Sequence, residues 1–242
     1  MIDVHCHLLP GIDDGAQTLD DSIELINLAI ADGITHIVAT PHIHPGRFNN
    51  DTASIATAYR QVMRWVKQTN APIKLSTAAE VRISIELLQM LEHHTIPFVG
   101  QWDGYNVILL EMPHSHILPG SDKLIKLLLN NNIRPLIAHP ERNKEIMAAP
   151  EKIKPFVDQG CLLQVTAGAL VGRFGTPAQK VATQLCKENL VTLIATDAHN
   201  TKHRPPKLAE AYALLDREIS QDYSLKLKDN VSQLVSQKPF NA

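Results

Sequence analysis

Seven short apolar runs recur along the 242-residue chain, and six of them deliver a histidine or a carboxylate at or just beyond their C-terminal end. The runs lie at 2–5, 35–39, 73–79, 106–111, 134–138, 162–166 and 191–196. Several are apolar nearly throughout, such as Val107-Ile108-Leu109-Leu110 and Thr192-Leu193-Ile194-Ala195. Strands buried on both faces of a parallel sheet covered by helices read this way.

Longer amphipathic stretches separate the runs. Leu19, Ile23, Ile26 and Ile30 form one helical stripe behind a capping Thr18, and Ile55, Tyr59, Val62, Met63 and Val66 form another. Ser121 is a candidate cap for a helix over 124–129, and Thr176 before Pro177 a candidate cap for the next. Gly33 and Gly160 stand where helices should end. Strand–helix alternation with right-handed crossovers leaves a parallel barrel or a doubly wound sheet. One domain is expected at this length, spanning 1–242, with closing helices from about 207 carried by Leu208, Tyr212, Leu215, Ile219 and then Leu225, Leu227, Val231, Leu234 and Val235. That closing face packs on the barrel or contributes to an oligomer contact.

Composition removes several classes. The formal charge of −2 gives no basic footprint for nucleic acid. An apolar fraction of 44% suits a packed core. Three cysteines without pairing spacing do not suggest a disulfide framework. The opening MIDVH is unlike a secretory leader, and no apolar run approaches the ~18 residues of a membrane span. A cytoplasmic protein without membrane insertion is the expectation.

The polar ends of the runs carry the chemistry. His5 and His7 end the first, with Asp13 and Asp14 in the following loop; His42 follows the second, Glu80 the third, Glu111 the fourth, His139 the fifth, and Asp197 with His199 the seventh. In a (β/α) barrel those ends share one rim, where active sites are built, and this favours the barrel. Alternation along a strand turns His5 and His7 to one side and Cys6 to the other. Imidazoles and carboxylates without thiolate suit manganese, iron or zinc. Nine ligands, counting one of the adjacent Asp13 and Asp14, exceed the needs of one ion and fit two or three sharing a bridging carboxylate. Such a cluster lowers the pKa of a bridging water to about 7.

The segments DVHCHLLPGIDDGAQTLDDS, ATPHIHPGRF and IAHPERN, with Glu80, Glu111 and Thr196-Asp197-Ala198-His199, resemble the polymerase and histidinol phosphatase (PHP) family over residues 2 to about 204. More narrowly they resemble its bacterial capsule-type tyrosine phosphatases. The resemblance implies a distorted TIM-like (β/α)7 barrel and three divalent ions, usually manganese. It also implies hydrolysis of phosphotyrosine, by metal-activated hydroxide, on the tail of a membrane-associated tyrosine autokinase that controls capsule or exopolysaccharide synthesis. Carried over, His5, His7, Glu80 and Asp197 would hold one ion. Glu80 would bridge to a second held by Glu111 and His139, and Asp14, His42 and His199 would hold the third. Asp14 is preferred to Asp13 because the family's Asp-Gly pair matches Asp14-Gly15. Family members often have a second His directly after His42; this chain has Ile43 and then His44. His44 is therefore either a substrate-side group or solvent-exposed.

Arg142 is the candidate for phosphate binding and catalysis, since a guanidinium fork matches phosphate oxygens; a loop salt bridge with Glu141 or Glu145 is the alternative. Arg204 is a second phosphate candidate. Arg47 either lines the mouth or is a solvated loop residue. Arg173-Phe174-Gly175 follows the sixth run, which supplies no ligand, and forms a wall, a lid or simple packing. His42 or a metal-bound water is the candidate general acid. Thiol chemistry is excluded: Cys-x5-Arg would place arginine where Ile12, Ala167 and Thr192 stand. The rival hydrolase readings are a small phosphate monoester of the histidinol phosphate type and a nucleotide or nucleic-acid phosphodiester. A non-catalytic partner-binding domain would be expected to have lost ligands, whereas here every position is filled.

Overall fold

The structure, a computed structural model, describes residues 1–236, so the last residues of the expected 1–242 unit lie outside the described residues. Among the described residues ten strands run β1 (Ile2–Cys6), β2 (His36–Ala39), β3 (His42–Ile43), β4 (Lys74–Thr77), β5 (Glu80–Arg82), β6 (Gly100–Trp102), β7 (Tyr105–Glu111), β8 (Ile133–Ala138), β9 (Leu162–Thr166) and β10 (Leu193–Ala195). The parallel ladders are β1-β2-β4 and β3-β5-β7-β8-β9-β10. β2 and β4 pair below the break while β3 and β5 pair above it. The breaks at Thr40-Pro41 and Ala78-Ala79 are bridged by Ala78 N–H donating to Ala39 O at 2.8 Å and Glu80 N–H donating to Pro41 O at 3.1 Å. Each split pair is thus one bent barrel strand, and the staves number seven.

The ends meet. Asp197 N–H donates to His5 O at 2.8 Å and His7 N–H to Ala198 O at 2.8 Å, which ties β10 to β1 and closes the parallel barrel. A doubly wound sheet leaves those edges apart.

Alternation decides what faces inward. On β7, Val107 and Leu109 share the face of Glu111 and belong to an interior apolar cluster with Val38, Leu136, Ala138, Leu193 and Ala195. The interleaved Ile108 and Leu110 pack outward against the helices. The helix Gln221–Ser236 sends Val231, Leu234 and Val235 into the interior cluster, and Asn230 donates to Thr192 O at 2.7 Å. That helix plugs the N-terminal end of the barrel and leaves the opposite rim open. With Leu208–Glu218 it forms the closing helices expected from about 207.

Helix starts agree with the sequence in part. Thr18 caps Leu19–Ala31 in a capping box with Asp21, and Asp51 caps Thr52–Thr69. Gly33 and Gly160 take positive φ just past their helices. Ser121 is not a cap: it is the first helical residue behind Gly120, and its hydroxyl donates to Leu118 O. Thr176 is likewise inside a helix, Gly175–Lys187, whose N-cap position is Phe174. The strand β6 was not expected. It pairs antiparallel with β7 across Asp103-Gly104, both at positive φ, the two-residue hairpin signal of Asp-Gly.

Candidate metal centre

The open rim collects the polar ends of the staves. His5 on β1 and His7 just past its end point into the barrel with their Nε2 atoms 3.1 Å apart. His5 Nδ1 meets Gln164 Oε1 at 2.9 Å and His7 Nδ1 meets Asp13 Oδ2 at 2.8 Å. An amide oxygen and a carboxylate only accept, so both imidazoles donate from Nδ1 and turn Nε2 inward, the atom that offers a lone pair to a metal when the ring is neutral. Glu80 Oε2 lies 3.2 Å and Asp197 Oδ1 3.3 Å from each of those nitrogens. Cys6 faces away, buried with its thiol toward Ala198 O.

Two further clusters adjoin. Asp14 Oδ1 stands 3.3 Å from His42 Nε2 and 3.5 Å from His199 Nε2. His42 Nδ1 is 3.1 Å from Glu80 Oε2 and 4.0 Å from Glu111 Oε2. Ligand atoms lie within 4.8 Å of one another in three sets: His5, His7, Glu80 and Asp197; His7, Asp14, His42 and His199; His42, Glu80 and Glu111. His139 joins through Glu80, Nε2 to Oε1 at 2.7 Å. All nine ligand candidates therefore gather at one place: His42 shares a set with Glu80 and Glu111, and His139 reaches Glu80 at its other oxygen.

The donor set fits cations. His42 Nδ1, Glu80 Oε2, Asp197 Oδ1 and His199 Nε2 are buried without a hydrogen-bond partner, and such atoms are costly unless something satisfies them. Burial pushes the Glu80 carboxyl up, yet the charges of His5, His42 and His139 hold it well below the usual range. Asp197 is held low in the same way, against burial, by Arg204, His5 and Arg142. Burial, with the charge of His7, pulls His199 down to about 4. Ionised carboxylates and a neutral imidazole are the states that bind metal. His139 and Asp197 sit at φ 33° and 50°; non-glycine residues in this left-handed region cluster at functional sites.

Asp13 is a positioning group. Besides His7, it accepts from Gly15 N at 2.9 Å and His42 N at 3.0 Å. Gly15 is needed there, because a Cβ would stand 2.0 Å from His7 O.

Arg142, from the turn Pro140–Arg142, and Arg204, from the loop after His199, both donate to Asp197 Oδ2. Neither alternative partner of Arg142 forms an ion pair with it. Glu141 accepts from Thr166 N, and Glu145 from Lys152 Nζ. Arg47 is 62% exposed at its side chain, 3.6 Å from Asp14 Oδ2, and stacks on Phe48 at 4.8 Å. Phe48 in turn lies parallel to the His42 ring at 5.5 Å. His44 is held by backbone bonds to Phe48 and, with Arg47, lines a cleft of about 240 Å³.

Three residues of this region escaped the sequence reading. Arg82 donates to Glu111 Oε1 at 3.1 Å and to Met112 O; it shares the Glu80 face of β5, an alternation visible in Glu80-Val81-Arg82. His114 lines the cleft, and Gln164 orients His5 from β9. For His114 and Gln164 no local signal existed.

A closed parallel barrel with an imidazole–carboxylate cage at its C-terminal rim, and arginines beside it, defines a metal-dependent hydrolase of the PHP type. The family model for capsular polysaccharide synthesis, CpsB/CapC, matches residues 1–236, and the chain belongs to that family. The chain is 34% identical to the tyrosine-protein phosphatase YwqE of Bacillus subtilis over 97% of its own length and 91% of the relative's. It is 27% identical to the tyrosine-protein phosphatase CpsB of Streptococcus pneumoniae over 97% and 98%. A chain from the crystal structures of YwqE and CpsB, described as unique metal-dependent tyrosine phosphatases, superposes with TM-score 0.91 at 33% identity, covering 99% of this chain and 96% of that one. Among the described residues no helix is long and apolar enough to cross a membrane.

Proposed function

We propose that this chain is a metal-dependent tyrosine-protein phosphatase. It acts on the phosphotyrosine tail of a membrane-associated autokinase that governs capsule or exopolysaccharide synthesis, and works in the cytoplasm. The observation that carries the reading is Asp197, whose Oδ1 faces the His5–His7 pair while Oδ2 takes both arginines. One side chain thereby joins a cation cage to a pair of guanidiniums suited to phosphoryl oxygens.

His5, His7, Asp14, His42, Glu80, Glu111, His139, Asp197 and His199 would hold three divalent ions, manganese before iron or zinc. When bound, such ions supply a water of lowered pKa and neutralise phosphoryl charge. Arg142 and Arg204 orient the phosphoryl group and offset its equatorial charge. Arg47 and His44 line the mouth of the cleft, where they would meet the substrate's ring. His42 turns both ring nitrogens to carboxylates, so its role is that of a ligand, and a phenolate leaving group, with a phenol pKa of about 10, needs little acid help.

Rates on a phosphotyrosine peptide, histidinol phosphate and single-stranded DNA, each with manganese, test the assignment. Strong preference for the peptide is expected. A preference for either other substrate overturns it.

A further inference from the structure

Phe174 has no ligand to offer and follows the one stave that supplies none, yet its ring lies beneath both arginines. The Arg142 guanidinium carbon is 4.5 Å and that of Arg204 5.8 Å from the ring centroid. Both distances fall inside the ~6 Å reach of a cation–π contact. The two cations come from segments some sixty residues apart in sequence and meet on a single oxygen of Asp197. Like charges so placed repel, and long side chains of this kind carry large rotamer freedom. A carboxylate alone would oppose that repulsion only by consuming N–H donors. A ring face attracts the flat side of each guanidinium and leaves the N–H edges free.

The ring itself is held by its own turn. Gly168 lies against it: a Cβ there would stand 3.0 Å from Phe174 Cε2. Arg173 N–H donates to Gly168 O at 2.9 Å and Gly175 N–H to Gly172 O at 3.2 Å, with Gly172 and Gly175 at φ 83° and 85°. Such positive φ is open to glycine at little cost. Backbone, not solvent, therefore sets where the aromatic face lies.

We infer that Phe174 is a positioning residue that pairs Arg142 and Arg204 into one preorganised clamp for the phosphoryl group of the substrate. The inference rests on the proposed phosphate role of those arginines, and the experiment separates the two. Inhibition by inorganic phosphate, kcat and KM for a phosphotyrosine peptide, bound metal and thermal midpoint are measured for Phe174→Leu, Phe174→Tyr and Arg142→Ala. Phe174→Leu should raise the phosphate inhibition constant about 3- to 10-fold, with metal content and thermal midpoint unchanged. Phe174→Tyr, which keeps the ring, should recover most of that loss. Should Phe174→Leu not fold, Phe174→Met provides the same aliphatic comparison.

If Arg142→Ala weakens phosphate binding while the aliphatic variant matches the parent, or while Leu and Tyr lose equally, Phe174 does not position the clamp. If Arg142→Ala leaves phosphate binding unchanged, the arginine assignment fails, and the clamp fails with it.

Discussion

His5 and His7 turn their Nε2 atoms toward each other at 3.1 Å because Gln164 and Asp13 each accept a hydrogen bond from Nδ1. With both rings neutral, two lone pairs and two carboxylate oxygens converge in a buried space, an arrangement that a cation would relieve. The barrel supplies the energy that keeps the four groups together.

Chelation should therefore cost stability as well as activity. Refilling a site to about 100 times its dissociation constant contributes about 2.7 kcal/mol per ion, or about 5–10 °C in a domain of this size. Differential scanning fluorimetry of chelated protein with added manganese checks this. An unchanged midpoint would remove the cage as a cation site.

Asp13 bonds the His7 imidazole and the backbone N–H groups of Gly15 and His42 at once, so it fixes the His7 ring and the backbone that carries His42 while remaining outside the cage. Asp13→Asn should weaken metal binding about 10- to 100-fold, the usual cost of losing an orienting carboxylate. A competition titration with a chromophoric chelator measures the change, and parental affinity in the variant would dismiss the role.

Gly15→Ala drives a methyl into the His7 carbonyl, 2.0 Å away. His7 cannot retreat, being tied through its own N–H to Ala198. A loss of at least about 2–3 kcal/mol in urea unfolding is expected.

Glu141 is fully buried, and burial pushes its carboxyl up to about 7 against the pull of the Thr166 N–H and Arg142. The native state then holds a proton that the unfolded chain has released. Stability accordingly falls as pH rises from about 4.5 towards about 7 and stays reduced above. Glu141→Gln cannot ionise, so in chelated protein its stability relative to the parent should grow between pH 5 and pH 8, by up to about 3 kcal/mol. Parallel denaturation curves at both pH values would show a constant difference if Glu141 were charged throughout.

Local signals that depend on few residues were readable. The staves, the Thr18 cap and the positive-φ glycines follow from apolar runs and turn chemistry. Where the sequence misled, tertiary context had replaced a local rule. Ser121 and Thr176 have capping hydroxyls but stand at the first and second helical positions, behind Gly120 and behind Phe174-Gly175. The unexpected hairpin at Asp103-Gly104 carried a legible signal that the long alternation of strands and helices obscured.

Residue types at strand ends were enough to indicate a cation cage, since strand periodicity aims alternate side chains the same way whatever the rest of the chain does. Which atoms would share an ion, the orientation of His5 by Gln164, and the meeting of two arginines over Phe174 depended on closure of the barrel. Those contacts join residues far apart in sequence, and their distances are set by how the staves tilt and bend, a property of the packed whole that no single segment contains.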